Sequence, residues 1–176
     1  ETMRGRSGAK KRAEINPQES IMAEKLNSMR LLDQQKIDYT VREFPDSIHS
    51  ADGAADHLGL PREAVYKTLV ALPVTGKPML VMIAGSRELD LKKLARAVGV
   101  KKVQMAGHND AEHLTGLQTG GISALALRHK NFPVYIDQAA LELERILVSA
   151  GKRGINLELQ VEDLIKITDA QVVEAT

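Results

Sequence analysis

Val65-Tyr66-Lys67-Thr68-Leu69-Val70-Ala71-Leu72 is followed, after Thr75-Gly76-Lys77-Pro78, by Met79-Leu80-Val81-Met82-Ile83-Ala84. The two outer stretches are short and nearly continuous in apolar residues, and the Gly-Lys-Pro segment between them is a hairpin signal. Runs that are apolar on both faces of the pleat belong in the middle of a covered sheet, so both are expected to be buried central strands. Lys67 does not fit that setting. By alternation it shares a face with Val65 and Leu69, where a lysine must reach solvent, pair with an acid or line a pocket. Taken alone, it reads as a lysine that snorkels its ammonium to water.

Working outward from this pair, Leu26, Met29 and Leu32 recur at three-residue spacing and predict a helical pattern from Ala23 onward. Alternation at Ile37, Tyr39 and Val41 predicts a strand over 37–44, broken by Pro45. Ser50 and Asp90 are placed to cap helices that end at Gly59 and Gly99. Further strands are expected at 103–105, 124–127, 134–136, 146–148 and 155–159, with a helical turn near 110–114 and a last helix over 161–167. Strands and helices do not alternate strictly, so the fold class is mixed α+β rather than doubly wound.

Composition narrows the function. The 176 residues suit one domain, and 43% hydrophobic content supports a core. There is no cysteine, hence no disulfide framework, thiolate nucleophile or cysteine-held zinc. No run is long and apolar enough to cross a bilayer, and the first 21 residues lack an apolar signal core, so no membrane role and a cytoplasmic location are expected. Residues 1–21 carry five cations against three acids and read as a basic, flexible tail. The body, 22–176, then holds 19 basic against 20 acidic residues, which argues against coating nucleic acid through its overall field. The motif search finds no G-x-S-x-G, G-x-G-x-x-G or Walker A sequence. His108 and His113, five apart, would not share a helix face, so no metal site is expected. Five aromatic residues do not make a broad stacking platform for single strands.

Two segments besides Lys67 carry chemistry. Thr119-Gly120-Gly121-Ile122-Ser123 lies between a helical turn and a predicted strand, and its glycines permit close backbone approach, with N–H groups able to face an oxyanion. Val148-Ser149-Ala150-Gly151-Lys152-Arg153-Gly154 joins two predicted strands through a small hydroxyl residue, two glycines and two cations. Each is, alone, also readable as an ordinary tight turn.

Together and in order, the three segments resemble the YbaK family, which includes free-standing deacylases and the editing domain of bacterial prolyl-tRNA synthetases. Val65-Tyr66-Lys67-Thr68-Leu69-Val70 is similar to the family's V-[FY]-K-T-L-V strand, Gly120-Gly121-Ile122-Ser123 to its G-G-x-S-P loop, and Ser149-Ala150-Gly151-Lys152-Arg153-Gly154 to its S-[GA]-G-x-R-G turn. The likeness spans about residues 25–170. It departs at Ala124, where the family has proline, and at Asn156, where an acidic residue is common. An amide keeps hydrogen bonding but carries no charge.

The resemblance implies a mixed, partly closed, barrel-like sheet flanked by helices, and a pocket for the aminoacylated 3′ end of a tRNA. It implies Lys67, Gly121 and Ser149 as catalytic-site residues, with Thr68, Gly120, Ile122, Ser123 and Asn156 binding substrate. No cofactor is implied. Partners would be aminoacyl-tRNA and prolyl-tRNA synthetase, and the protein would be a monomer or weak homodimer. The expected reaction is hydrolysis of misacylated Cys- or Ala-tRNA for proline. Lys67 would orient the substrate or hold its phosphate, and Ser149 would be a hydrogen-bond partner rather than a nucleophile. The competing readings are a module that binds acceptor ends or a synthetase without turnover, and a domain in which Lys67 is structural.

Overall fold

The computed structural model describes residues 25–176. The basic tail expected at 1–21 lies outside them. In chain order the elements are α1 (Asn27–Gln34), β1 (Tyr39–Glu43), α2 (Ala51–Leu58), β2 (Tyr66–Pro73), β3 (Met79–Ala84) and α3 (Leu91–Val98). There follow β4 (Val103–Met105), α4 (His108–Thr115), β5 (Val134–Asp137), β6 (Arg145–Lys152), β7 (Ile155–Gln160), α5 (Val161–Thr168) and β8 (Gln171–Val173). The fold class is mixed α+β.

Two sheets result. One has the order β4-β2-β3-β5-β8, and the other β1-β7-β6. All six residues of β3 are buried, as expected of a strand apolar on both faces. Leu80, Met82 and Ile83 are essentially inaccessible, and truncating such a side chain to alanine costs about 2–5 kcal/mol. β2 and β3 pair antiparallel from Tyr66 opposite Ala84 to Ala71 opposite Met79, while β5 joins β3 in parallel. One apolar cluster, with Leu80, Met82, Ile136, Ile146, Leu157 and Leu164, draws on both sheets. α1 is pinned to the smaller sheet by Ser28, whose buried hydroxyl donates to the Ala150 carbonyl at 2.6 Å.

The caps read from the sequence are in place. Ser50 Oγ accepts from Gly53 N–H, and Asp90 accepts from the N–H groups of Lys92 and Lys93. Gly59 and Gly99 close their helices with left-handed backbones at φ 67° and 75°. Asp137 is 1% exposed, and its carboxylate accepts from Ala175 N–H and the Thr176 hydroxyl, both at 3.0 Å. Residues 171–176 are thereby tied to the larger sheet.

Two expectations are corrected, and one strand is added to those read from the sequence. Residues 124–127 form turns, not a strand: Ala124, Leu125 and Leu127 are buried against the core, and Ser123 Oγ accepts from Ala126 N–H at 3.2 Å. The strand β8, only three residues long, was not anticipated. The sheet does not close into a barrel. Among the described residues the two sheets are linked by one isolated parallel bridge, Val65 to Leu147.

Candidate functional site

β4 pairs with β2 only at Ala71, Leu72 and Pro73. Among the described residues, the first half of β2 therefore has β3 on one edge and, past the Val65 bridge, no strand on the other. A cavity of about 340 Å³ occupies that gap. Five consecutive β2 residues, Tyr66 to Val70, line it. A cavity lying over one face of a strand would touch alternate residues, so this one is met edge-on.

Six of the eight site residues expected from sequence line the cavity: Lys67, Thr68, Gly120, Ile122, Ser149 and Asn156. Lys67 Nζ donates to the Gly85 carbonyl at 3.3 Å, which uses one of its three donors. Gly85 has no room for a side chain, because a methyl there would collide with Ala51 Cβ. Ser149 and Asn156 face each other as cross-strand partners on β6 and β7, and both are buried. Ser149 Oγ accepts from Gly151 N–H at 3.1 Å, which leaves the hydroxyl proton to be donated elsewhere. The β6–β7 ladder is irregular between Ser149 and Lys152, and such a bulge re-aims neighbouring side chains.

Gly121 and Ser123 do not line the cavity. Gly121 N–H donates to the Gln118 carbonyl at 2.8 Å and so does not point at a ligand. A Cβ on Gly121 would lie 3.0 Å from Arg153 N and 3.2 Å from the Lys152 carbonyl carbon. This glycine is where the double-glycine loop meets the β6–β7 turn. Arg153 Nε donates to the Thr119 carbonyl at 2.6 Å across the same junction. Gly120, at φ 87°, packs against the main chain of His49, where a Cβ would sit 3.0 Å from the carbonyl oxygen. The motif loops thus shape the cavity by touching each other.

Other residues lining the cavity were not among the eight site residues expected from sequence: Phe44, His49, Asp52, Gly85, His108 and Thr119. His49 lies between Pro45 and the Ser50 cap, where no periodic pattern marks a face. Asp52 Oδ1 is buried with no hydrogen-bond partner among the described residues, while Oδ2 is 3.7 Å from Arg62. Thr119 N–H donates to Glu112, and that bond, ahead of other causes, holds the Glu112 carboxyl below its usual range. The first turns of α2 and α4 border the cavity through Ser50, Ala51, Asp52, Ala54, His108 and Ala111. Helix N-termini present unpaired N–H groups and partial positive charge to an anion. Among the described residues, no group of three or more His, Asp or Glu could hold a metal ion, and none of the helices is long and apolar enough to cross a membrane.

The arrangement is an edge-on cavity with one ammonium, a buried hydroxyl, a buried amide and two helix N-termini, a set of donors able to orient and polarise a carbonyl or an anion. The family model of the aminoacyl-tRNA editing domain matches residues 45–167, and this chain belongs to that family. It is 41% identical over 155 residues to a protein of Enterococcus faecalis named "Putative Cys-tRNA(Pro)/Cys-tRNA(Cys) deacylase EbsC", covering 87% of this chain and 94% of that one. It is 25% identical over 111 residues to the proline–tRNA ligase of Staphylococcus aureus, covering 63% of this chain and 19% of the ligase. A crystal structure of "a putative trans-editing enzyme for prolyl tRNA synthetase" has the same fold, with a TM-score of 0.73 at 24% identity over 87% of this chain and 99% of that one.

Proposed function

We propose that this chain is a deacylase that hydrolyses the ester of misacylated tRNA for proline, carrying cysteine or alanine. The observation that carries the reading is the meeting of Lys67, Ser149 and Asn156, from three strands and two sheets, in one small cavity. Its 340 Å³ is at the small end of the roughly 300–1,000 Å³ of small-molecule sites, which suits an aminoacyl group better than a whole nucleotide. The names of the Enterococcus and Staphylococcus relatives support the same substrate class.

In this reading water adds to the ester carbonyl carbon, the tetrahedral intermediate collapses, and the ribose oxygen leaves with a proton. The products are the free amino acid and an uncharged 3′ end. Lys67 offers its two remaining donors to the ester or the adjoining phosphate, and Ser149 and Asn156 orient the acyl group. Aminoacyl-tRNA is the partner by necessity. Prolyl-tRNA synthetase is a partner in the same proposal, because it makes the misacylated substrate.

The test is loss of the ester from Cys-tRNA and Ala-tRNA for proline, with correctly charged Pro-tRNA as control and with synthetase present or absent. Hydrolysis of either misacylated ester above the uncatalysed rate is expected. Tight binding with no ester lost under any condition would replace the deacylase with a binding module.

A further inference from the structure

Hydrogen-bond parity along β2 decides which main-chain groups face the cavity. Val65 O accepts from Gly85 N–H at 2.9 Å, which sets the register in which the odd-numbered residues 67, 69 and 71 turn their N–H and C=O groups toward β3. The other edge gives the same answer independently. Val70 O accepts from Ala106 N–H at 3.0 Å, which places the even-numbered residues in register to bond toward β4. Thr68 therefore directs both its N–H and its C=O to the outer edge. Continuing the β2–β4 register, the residue opposite Thr68 would be His108, but the chain turns at Gly107 and α4 begins at His108. The partner strand has left, and the cavity takes its place. Among the described residues no hydrogen bond uses the Thr68 main chain on that edge. A strand edge left in this state is a template for pairing.

A residue in that position exchanges two hydrogen bonds with the single residue directly opposite, giving its N–H to that residue's carbonyl and accepting that residue's N–H. An aminoacyl ester carries the complementary pair on one carbon: an α-ammonium that donates and an ester carbonyl that accepts. The geometry points to Thr68 docking the amino acid of the substrate as a one-residue antiparallel strand partner, with Thr68 C=O accepting from the α-ammonium and Thr68 N–H donating to the ester carbonyl. The assignment rests on the deacylase reading above and adds a recognition element to it: the α-amino group is read by main chain, whatever the amino-acid side chain. The N–H on the ester oxygen also strengthens as charge develops there, a role the Gly121 N–H, already given to Gln118, does not fill. Binding by strand addition takes its affinity from main-chain bonds and its selectivity from pockets for the side chain.

The test compares Ala-tRNA with propionyl-tRNA, which lacks only the α-ammonium, and Cys-tRNA with 3-mercaptopropionyl-tRNA. Each enzymatic kcat/KM is divided by the uncatalysed hydrolysis rate of the same ester, since an α-ammonium activates the ester by itself. Loss of one charge-assisted hydrogen bond predicts a fall of about 10- to 100-fold for the des-amino ester. Equal normalised rates would overturn the assignment while leaving the deacylase intact. Hydrolysis of none of the four esters would overturn the deacylase, and this assignment with it. A second readout isolates Thr68. With a stable 3′-alanylamido-3′-deoxyadenosine, amide hydrogen exchange at Thr68 should slow by about tenfold or more. Shifts at Lys67 and Ser149 with unchanged exchange at Thr68 would place the ligand elsewhere and overturn the docking.

Discussion

Arg153 Nε donates to the carbonyl oxygen of Thr119 at 2.6 Å, so the β6–β7 turn and the double-glycine loop are held as one unit. Arg153 does not line the cavity; Thr119 and Gly120 do. Arg153→Ala should therefore destabilise the fold by about 1.5–3 kcal/mol, the range for a hydrogen bond to a charged donor, and lower deacylation further by loosening the Gly120 wall. Arg153→Lys should recover only part, since an ammonium lacks the directed Nε–H. Thermal unfolding and ester hydrolysis, measured on both variants, check this. Unchanged activity in Arg153→Ala would show that the junction does not shape the site.

Gly121→Ala tests the same contact from the other side. The added methyl would lie 3.0 Å from Arg153 N and 3.2 Å from the Lys152 carbonyl carbon, both main-chain atoms that cannot swing aside. Overpacking of this kind costs about 1–3 kcal/mol, and here it also pushes the two loops apart. The expected outcome is a lower denaturation midpoint together with reduced kcat/KM. A wild-type midpoint would mean that the turn yields at no cost.

Lys67→Ala should reduce deacylation by about 100-fold or more, the scale for losing one positioned cationic donor, while the fold persists. Among the described residues its Nζ makes one hydrogen bond, to Gly85 O at 3.3 Å, and the strand around it is held by β3 on ladder bonds that alanine keeps. Lys67→Met, which retains the apolar stem, should be at least as stable as the parent and equally inactive. Unfolding curves beside ester hydrolysis separate the two effects. Full activity in either variant would remove Lys67 from the site chemistry.

Tyr66 gives a pH prediction. Its hydroxyl is buried with no hydrogen-bond partner among the described residues, and burial pushes its pKa up to about 12. Above pH 10 the unfolded chain ionises at this position and the folded one does not, so stability falls from about pH 10 to 12 at roughly 1.4 kcal/mol per pH unit. Tyr66→Phe should remove that part of the alkaline loss. At neutral pH it should match or exceed the parent, because an unsatisfied buried hydroxyl costs about 1–3 kcal/mol. Urea unfolding at pH 7 and pH 11 for both proteins tests this, and identical pH slopes would refute it.

Features set by local chemistry were readable in the sequence. Ser50 with Gly59, and Asp90 with Gly99, bound their helices because a cap is decided within a few residues. The β2–β3 pair was readable because continuous apolarity and a turn signal coincide. The alternating Ala124-Leu125-Ala126-Leu127 misled: it has the period of a strand and buries like one, but no strand lies beside it. Sheet closure and β8 depend on partners distant in the chain, which a pattern read along the chain does not register. The same division applies to the candidate site. Lys67 stood out as a charge in an apolar run, whereas His49 and Asp52 reach the cavity only because α2 packs over Gly85. Gly121 and Ser123 carried the motif pattern but do not line the cavity: Gly121 packs against the β6–β7 turn, and Ser123 Oγ accepts from Ala126 N–H in its own turn.

The tie between Asp137 and residues 175 and 176 bears on how the protein is made. β8 completes the parallel edge beside β5, and among the described residues the buried Asp137 carboxylate accepts from Ala175 and Thr176 alone. A nascent chain still lacking residues 171–176 has an open edge on β5 and an acid in the core with those donors missing. The sheet that carries Lys67 and Thr68 thus gains its last strand, and the donors of its buried acid, only after every strand that lines the cavity has been synthesised.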